Sequence, residues 1–278
     1  MSGRNNSTAT QSTGEDVSRE SHTDIKLVER NHSIKLGDAL LIAGFPGPGL
    51  VGSMSASYII EQQKMHQIAY VDSDFIMPGV MFIGGKLRHP FRIYSNDEGN
   101  ACVIVCDAPI VLAGIRQILN TVVKWAQEHN VREVMVLEGI AATDIPQDDR
   151  KPVIMSSDGR SDDHGFLSRI GKEGAEEAPK GHPSFITGIS GALLAACLSN
   201  GIPCTGVLIA SPAGIPDPEG AAILIETANH LASNPFKIDV GQLKNEAVEL
   251  KKQMQQLLNS MQKQQETLQP GSGSGIYS

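Results

Sequence analysis

The 278-residue sequence is short of cysteine, short of basic charge and without a long apolar run, and each shortage closes off a class of function. With 4 cysteines and no apolar h-region near the N-terminus, nothing suggests a disulfide scaffold or an exported protein, so the expected compartment is the reducing cytoplasm. No apolar stretch approaches the roughly 20 residues that a bilayer crossing requires, which leaves no membrane role. Asp and Glu number 31 against 23 Lys and Arg, a formal charge of −8; a protein that tracks nucleic-acid phosphates carries the opposite balance. The 8 histidines fall in no H-x-x-H or H-E-x-x-H pattern. The pairs Cys102/Cys106 and Cys197/Cys204 lack zinc-knuckle spacing, so no metal and no cofactor is expected. A G-x-x-x-x-G-K-[ST] phosphate loop is also missing, which argues against work driven by ATP.

What is present is a chain with 40% hydrophobic residues, enough for a core without staples. Residues 1–24, rich in Ser, Thr, Asn and charge, read as a disordered tail. From Ile25 the pattern alternates between short buried strands and amphipathic helices. ALLIAG (39–44), QIAYVD (67–72), NACVIVCDAP (100–109), VREVMVLEGIA (131–141) and IPCTGVLIAS (202–211) read as strands. LVGSMSASYIIEQQK (50–64), VLAGIRQILNTVVKWAQEHN (111–130) and ITGISGALLAACLSN (186–200) read as helices, and a further helix enters around Pro218. IMPGVMFIGGKL and PFRIYSN read as a pair of shorter strands, joined through Gly84–Gly85 and a turn at His89–Pro90. Repeated strand–helix–strand units predict an α/β fold with a mostly parallel sheet covered by helices on both faces. Residues 25–235 form this domain, interrupted by a polar excursion over 143–183 with one short strand at 153–157.

The loudest motif is GFPGPGLVG (44–52). Its Gly47, Gly49 and Gly52 match G-x-G-x-x-G between a strand and a helix, and Asp72 lies where a ribose-binding acid would follow. Pro46 and Pro48, however, remove two N–H donors from a loop that would have to offer them to a pyrophosphate. Gly44, Gly47, Gly49 and Gly52 equally suit a tight βα turn. The structural turn is therefore the favoured reading, with nucleotide or nucleoside binding as the alternative. At the next helix start, Gly188 and Ser190 open exposed backbone N–H groups, and Ser190 reads as a helix cap rather than a nucleophile. Glu138 and Asp107 end strands at the ligand-binding edge of such a sheet, a carboxylate pair without a third partner in sequence.

Residues 236–269 carry Val240, Leu243, Ala247, Leu250, Met254, Leu257, Met261 and Leu268 on a 3-4-3-4 spacing, interrupted by Gln264. About four heptads of that kind make a coiled-coil seam or a long helix docked along one stripe. Pro270 ends the helix and GSGSG makes 270–278 a flexible tail. Ile276, Tyr277 and Ser278 at its end combine an aliphatic side chain, a large ring with a polar handle and a carboxylate, a plug for a pocket that offers a lysine or a nest of N–H groups. Roughly seven tether residues give a reach of about 14 Å.

Three stretches together resemble the proteasome-assembly-chaperone family and in particular its archaeal homologues: GFPGPGLVG, GISGALL (188–194), and SPAGIPDPEGAAILIE (211–226), in which Pro216, Asp217 and Pro218 open a late helix. The resemblance spans residues 35–235. It implies a three-layer α/β sandwich akin to nucleoside phosphorylases, without an established catalytic site, and the α-ring of the proteasome core particle as partner. Ile276–Tyr277–Ser278 matches the C-terminal hydrophobic–Tyr–any-residue motif of archaeal members that resemble proteasome activators. By analogy these tails would enter pockets between α-subunits, with the Ser278 carboxylate meeting a lysine. Since one short tail binds weakly, useful affinity requires several, and a homo-oligomer, a tetramer or pentamer, is expected.

Overall fold

Every residue of Ala39–Gly44 is buried, because the strand lies at the centre of a sheet covered on both sides. Its side chains alternate between two cores: Leu40 and Ile42 face one, Leu41 and Ala43 the other. The computed structural model describes residues 24–30, 34–145, 150–158, 176–177, 185–232, 237–250, 252, 253 and 256.

Eleven strands are formed among them: β1 (Ile25–Glu29), β2 (Ala39–Gly44), β3 (His66–Ser73), β4 (Met81–Ile83), β5 (Lys86–Arg88), β6 (Phe91–Ser95), β7 (Ala101–Cys106), β8 (Val131–Ala141), β9 (Val153–Ser156), β10 (Glu176–Glu177) and β11 (Cys204–Ser211). Nine build one sheet in the order β1-β3-β6-β7-β2-β8-β11-β9-β10. The centre, β7-β2-β8-β11, is parallel, as the alternating pattern predicts. The flanks are not: β1, β3 and β6 run antiparallel out to one edge, and β9 returns antiparallel against β11. The sheet is thus parallel at its core and mixed overall.

Helices α1 (Val51–Gln62) and α4 (Pro218–Leu231) cover one face; α2 (Leu112–Glu128) and α3 (Gly188–Asn200) cover the other. This is the expected three-layer sandwich. Asn130 takes the left-handed conformation (φ 54°) just past α2, where its short amide side chain tolerates what a larger residue would not.

The IMPGVMFIGGKL run behaves differently from its expectation. Gly84 and Gly85 both take positive φ, so the run folds back on itself as the β4–β5 hairpin, paired only within itself. The hairpin leaves the body at His89–Pro90, a turn held from below by the buried Arg92 guanidinium. Arg92 donates to the His89 carbonyl at 2.6 Å and to Asp107 at 2.5 Å.

The segment beginning at 236 starts as part of the body. Ile238, Val240 and Leu243 join the core under α1 and α4. The Tyr58 hydroxyl donates to the Asp239 carbonyl at 2.8 Å, and the Asn229 side chain bonds the Ile238 backbone in both directions. A further helix, α5, runs over 241–250. It buries Leu243 and Ala247 and half-buries Leu250, which continues the expected stripe. Met254, Leu257, Met261 and Leu268 of that stripe lie outside the described residues, as do residues 1–23, most of 143–183, and Ile276, Tyr277 and Ser278.

Candidate functional site

The glycine-rich loop follows β2 directly. After Phe45 it turns through Pro48–Leu50, with Gly49 at φ 64° and Leu50 at φ 53°. Gly49 has no room for a side chain: a Cβ there would lie 2.8 Å from Ser211 Cβ and 2.9 Å from Asp217 Cβ. Its carbonyl accepts the Asp217 N–H at 2.9 Å, which ties this loop to the Pro216–Asp217–Pro218 loop before α4.

Asp217 is the N-cap of α4. Its carboxylate accepts the Gly220 N–H at 2.9 Å, and Pro218 supplies the fixed φ of a first helical residue. The same carboxylate is paired with Arg150, which donates to Oδ1 at 3.1 Å and also engages Oδ2. Arg150 additionally reaches the Ser211 hydroxyl at 3.0 Å and the Ala210 carbonyl. Both side chains are buried. Burial alone would raise the Asp217 pKa; the Arg150 guanidinium and the Gly220 N–H outweigh it and hold the carboxyl below its usual range. Arg150 therefore helps fasten the described part of the polar excursion to the body, beside the pairing of β9 with β11, and no sequence signal pointed to it.

On the other side of the loop, a cavity of about 540 Å³ opens at the C-terminal ends of β2 and β8, the edge where parallel sheets place ligands. Phe45, Ile140, Met155, Phe185, Ile186 and Leu208 supply its apolar walls, and Glu138 is the one ionisable group that lines it among the described residues. Glu138 Oε2 accepts the Ser190 hydroxyl at 2.5 Å and Oε1 accepts the Gly139 N–H at 3.0 Å. Burial raises the Glu138 pKa, and those two hydrogen bonds only partly offset the shift. Gly47 lies over this carboxyl, since a side chain at 47 would overlap Oε1. Ser190, fully buried, serves Glu138 and makes no cap to α3. Gly188, at φ 71°, lines the cavity mouth.

The remaining sequence candidates separate. Asp72 is exposed on β3, three strands away from β2, so it is not delivered to the glycine loop as a ribose-binding acid would be. Asp107 is committed to Arg92 and does not join Glu138. Cys102 and Cys106 share one face of β7, as their spacing predicts, and burial pushes their thiols up to about 12 and about 11. No cluster of metal-binding side chains occurs among the described residues.

One surface was not foreseen. Met77, Val80, Phe82, Leu87, Val111 and Leu112 are each more than half exposed. Phe82 and Leu87 are cross-strand partners in the hairpin. The Ile76–Ile110 bridge and the bond from Met77 N–H to the Pro109 carbonyl bring the hairpin base beside the start of α2.

A protein-family model described as the PAC2 family matches residues 41–258, reaching past the stretch expected from motifs and taking in the docked helix. An uncharacterized protein of Methanocaldococcus jannaschii is 28% identical over 247 residues, which cover 86% of this chain and 94% of the relative. Among solved structures, Pyrococcus furiosus PbaA, an archaeal homolog of proteasome-assembly chaperone, superposes with TM-score 0.73 at 24% identity, covering 88% of this chain and 95% of that one. Pyrococcus furiosus PbaB, an archaeal proteasome activator, gives TM-score 0.72 at 18% identity over 84% of this chain and 99% of that one.

Proposed function

Because this chain belongs to the PAC2 family, we propose that it is a non-enzymatic partner of the proteasome core particle, an assembly chaperone or ATP-independent activator that docks on the α-ring through Ile276, Tyr277 and Ser278. The observation that carries this reading is the near full-length likeness to two structures, one described as a homolog of proteasome-assembly chaperone and the other as a proteasome activator. Ile276, Tyr277 and Ser278 supply the chemistry that docking would use: an aliphatic side chain and a tyrosine after a Gly/Ser stretch.

One such tail is a weak ligand, so the reading requires several tails on one particle. The exposed apolar surface of the β4–β5 hairpin and the start of α2 supports self-association. Six large apolar side chains showing on the order of 100 Å² each amount to most of the ~800 Å² per partner that stable interfaces bury. Residues 238–243 pack into the core beside α1 and α4, which fixes where the C-terminal helix begins.

The test is capture of the core particle by the intact protein and by a version lacking residues 276–278, with peptide hydrolysis followed in parallel. Capture by the intact protein alone is expected. Faster hydrolysis in that complex makes the protein an activator; unchanged hydrolysis leaves assembly. Equal capture by both versions removes the tail from the mechanism, and capture by neither overturns the reading.

A further inference from the structure

The cavity beside the glycine loop has no part in tail docking, yet it has the attributes of a small-molecule site. Its volume of about 540 Å³ suits a ligand of one or two rings. Its walls are apolar, and Phe185 stands at its mouth 90% exposed. A carboxyl group carries about four lone-pair positions, of which the Ser190 hydroxyl and the Gly139 N–H occupy two. The remaining acceptor positions belong to a group that lines the cavity, and Gly47, which lies over Oε1, places no side chain there.

The charge pattern selects among ligands. Among the described residues no Lys, Arg or His lines the cavity, and Pro46 and Pro48 offer no N–H to an anion. A phosphate placed beside Glu138 would meet a carboxyl group, a like charge once ionised. A flat aromatic base with two adjacent N–H donors meets the opposite situation: apolar walls for its faces and a carboxyl for its edge, in the two-point geometry that carboxylates favour. We propose that this cavity binds a phosphate-free, planar aromatic base whose amidine-like N–H edge pairs with Glu138. The site stands independently of tail docking.

The bound cation would also restore charge to a carboxyl that burial disfavours as an anion. Complexation should therefore release protons just above the ordinary carboxyl range.

Calorimetry on the full chain with benzamidine and 2-aminobenzimidazole, against benzoate and AMP as anionic controls, tests this. The two bases should bind saturably and the anions should not. In two buffers of different ionisation enthalpy, the heat of binding should differ by the protons released. Glu138→Gln should weaken the bases at least tenfold. Phe185→Ala, at an exposed position where the fold is not at stake, should weaken them severalfold. Undiminished binding to Glu138→Gln, equal binding of AMP or benzoate, or no saturable heat with either base at millimolar concentration would each overturn the proposal.

Discussion

Gly44 and Gly52 meet backbone to backbone: a Cβ on Gly44 would overlap the Gly52 carbonyl, and a Cβ on Gly52 would fall 2.5 Å from the Leu137 carbonyl oxygen and 2.9 Å from that of Phe45. Gly52, the last glycine of what looks like a dinucleotide fingerprint, is thus, with Gly44, the contact at which α1 is pressed onto β2 and β8.

Two effects of opposite sign decide what Gly52→Ala does. Alanine favours a helix over glycine by about 1 kcal/mol. Forcing a methyl against two carbonyl oxygens costs more, about 3 kcal/mol where backbone must move. Net destabilisation is expected in denaturant titration. Gly47→Ala should cost less, because its clash is with the Glu138 side chain, which can rotate. A wild-type midpoint for Gly52→Ala would contradict the close approach.

The Arg150–Asp217 pair should behave as a unit. Arg150→Ala leaves a buried carboxylate without its counter-charge and is expected to cost about 3 kcal/mol. Asp217→Ala also loses the N-cap, worth about 1 kcal/mol. In a double-mutant cycle the two losses should be strongly non-additive. The pH dependence follows from the depressed Asp217 pKa: its contribution is fully present above the ordinary carboxyl pKa and is lost as pH falls through the lower folded value. The stability gap between wild type and Asp217→Asn should accordingly narrow on acidification.

Glu138 has the reverse sign. Its folded pKa is raised, so the folded chain holds a proton more tightly than the unfolded one. Its favourable contribution is present below the ordinary carboxyl pKa and is lost as pH rises through the folded value. Glu138→Gln should therefore gain on wild type as pH rises toward neutrality, read as a widening difference in thermal midpoint. A constant difference across that range would show that the carboxyl is not strained by burial.

If the hairpin face mediates self-association, Phe82→Asp combined with Leu87→Asp should convert the assembly to monomer in sedimentation at micromolar concentration. The thermal midpoint of the monomer should stay near that of the parent, because both side chains are largely exposed, 73% and 68%. A wild-type chain that sediments as a monomer, or an assembly indifferent to the double substitution, would move the interface elsewhere.

Sequence reading worked where information is local. The apolar run of Leu40, Leu41, Ile42 and Ala43 as a buried strand, the amphipathic period of α2, and Asp217–Pro218 as a helix entrance need only neighbouring residues. It failed where strand order decides. Asp72 has the spacing of a ribose-binding acid, but β3 joins the sheet on an antiparallel flank, and β2 has β7 and β8 as neighbours instead. Arg150 was invisible because its partner lies 67 positions away and the segment around it looks like polar loop. Ser190 looked like a cap because the hydroxyl's true partner, Glu138, arrives from another strand. In the hairpin, Gly84–Gly85 was recognised as a turn, but not that it closes a sheet of its own.

The protein's single tryptophan occupies the seam between β1 and α2. The Trp125 indole donates to Glu29 at 2.8 Å and stacks on His129. Among the described residues, strand β1 is the last on its side of the sheet and pairs only with β3. Peeling of β1 would strip the indole of its carboxylate while the two cores stayed intact, so emission from Trp125 is a built-in optical gauge of that edge. A shift in its spectrum at denaturant concentrations below the main transition would time the uncovering of β3, the moment at which a strand from another chain could take the place of β1.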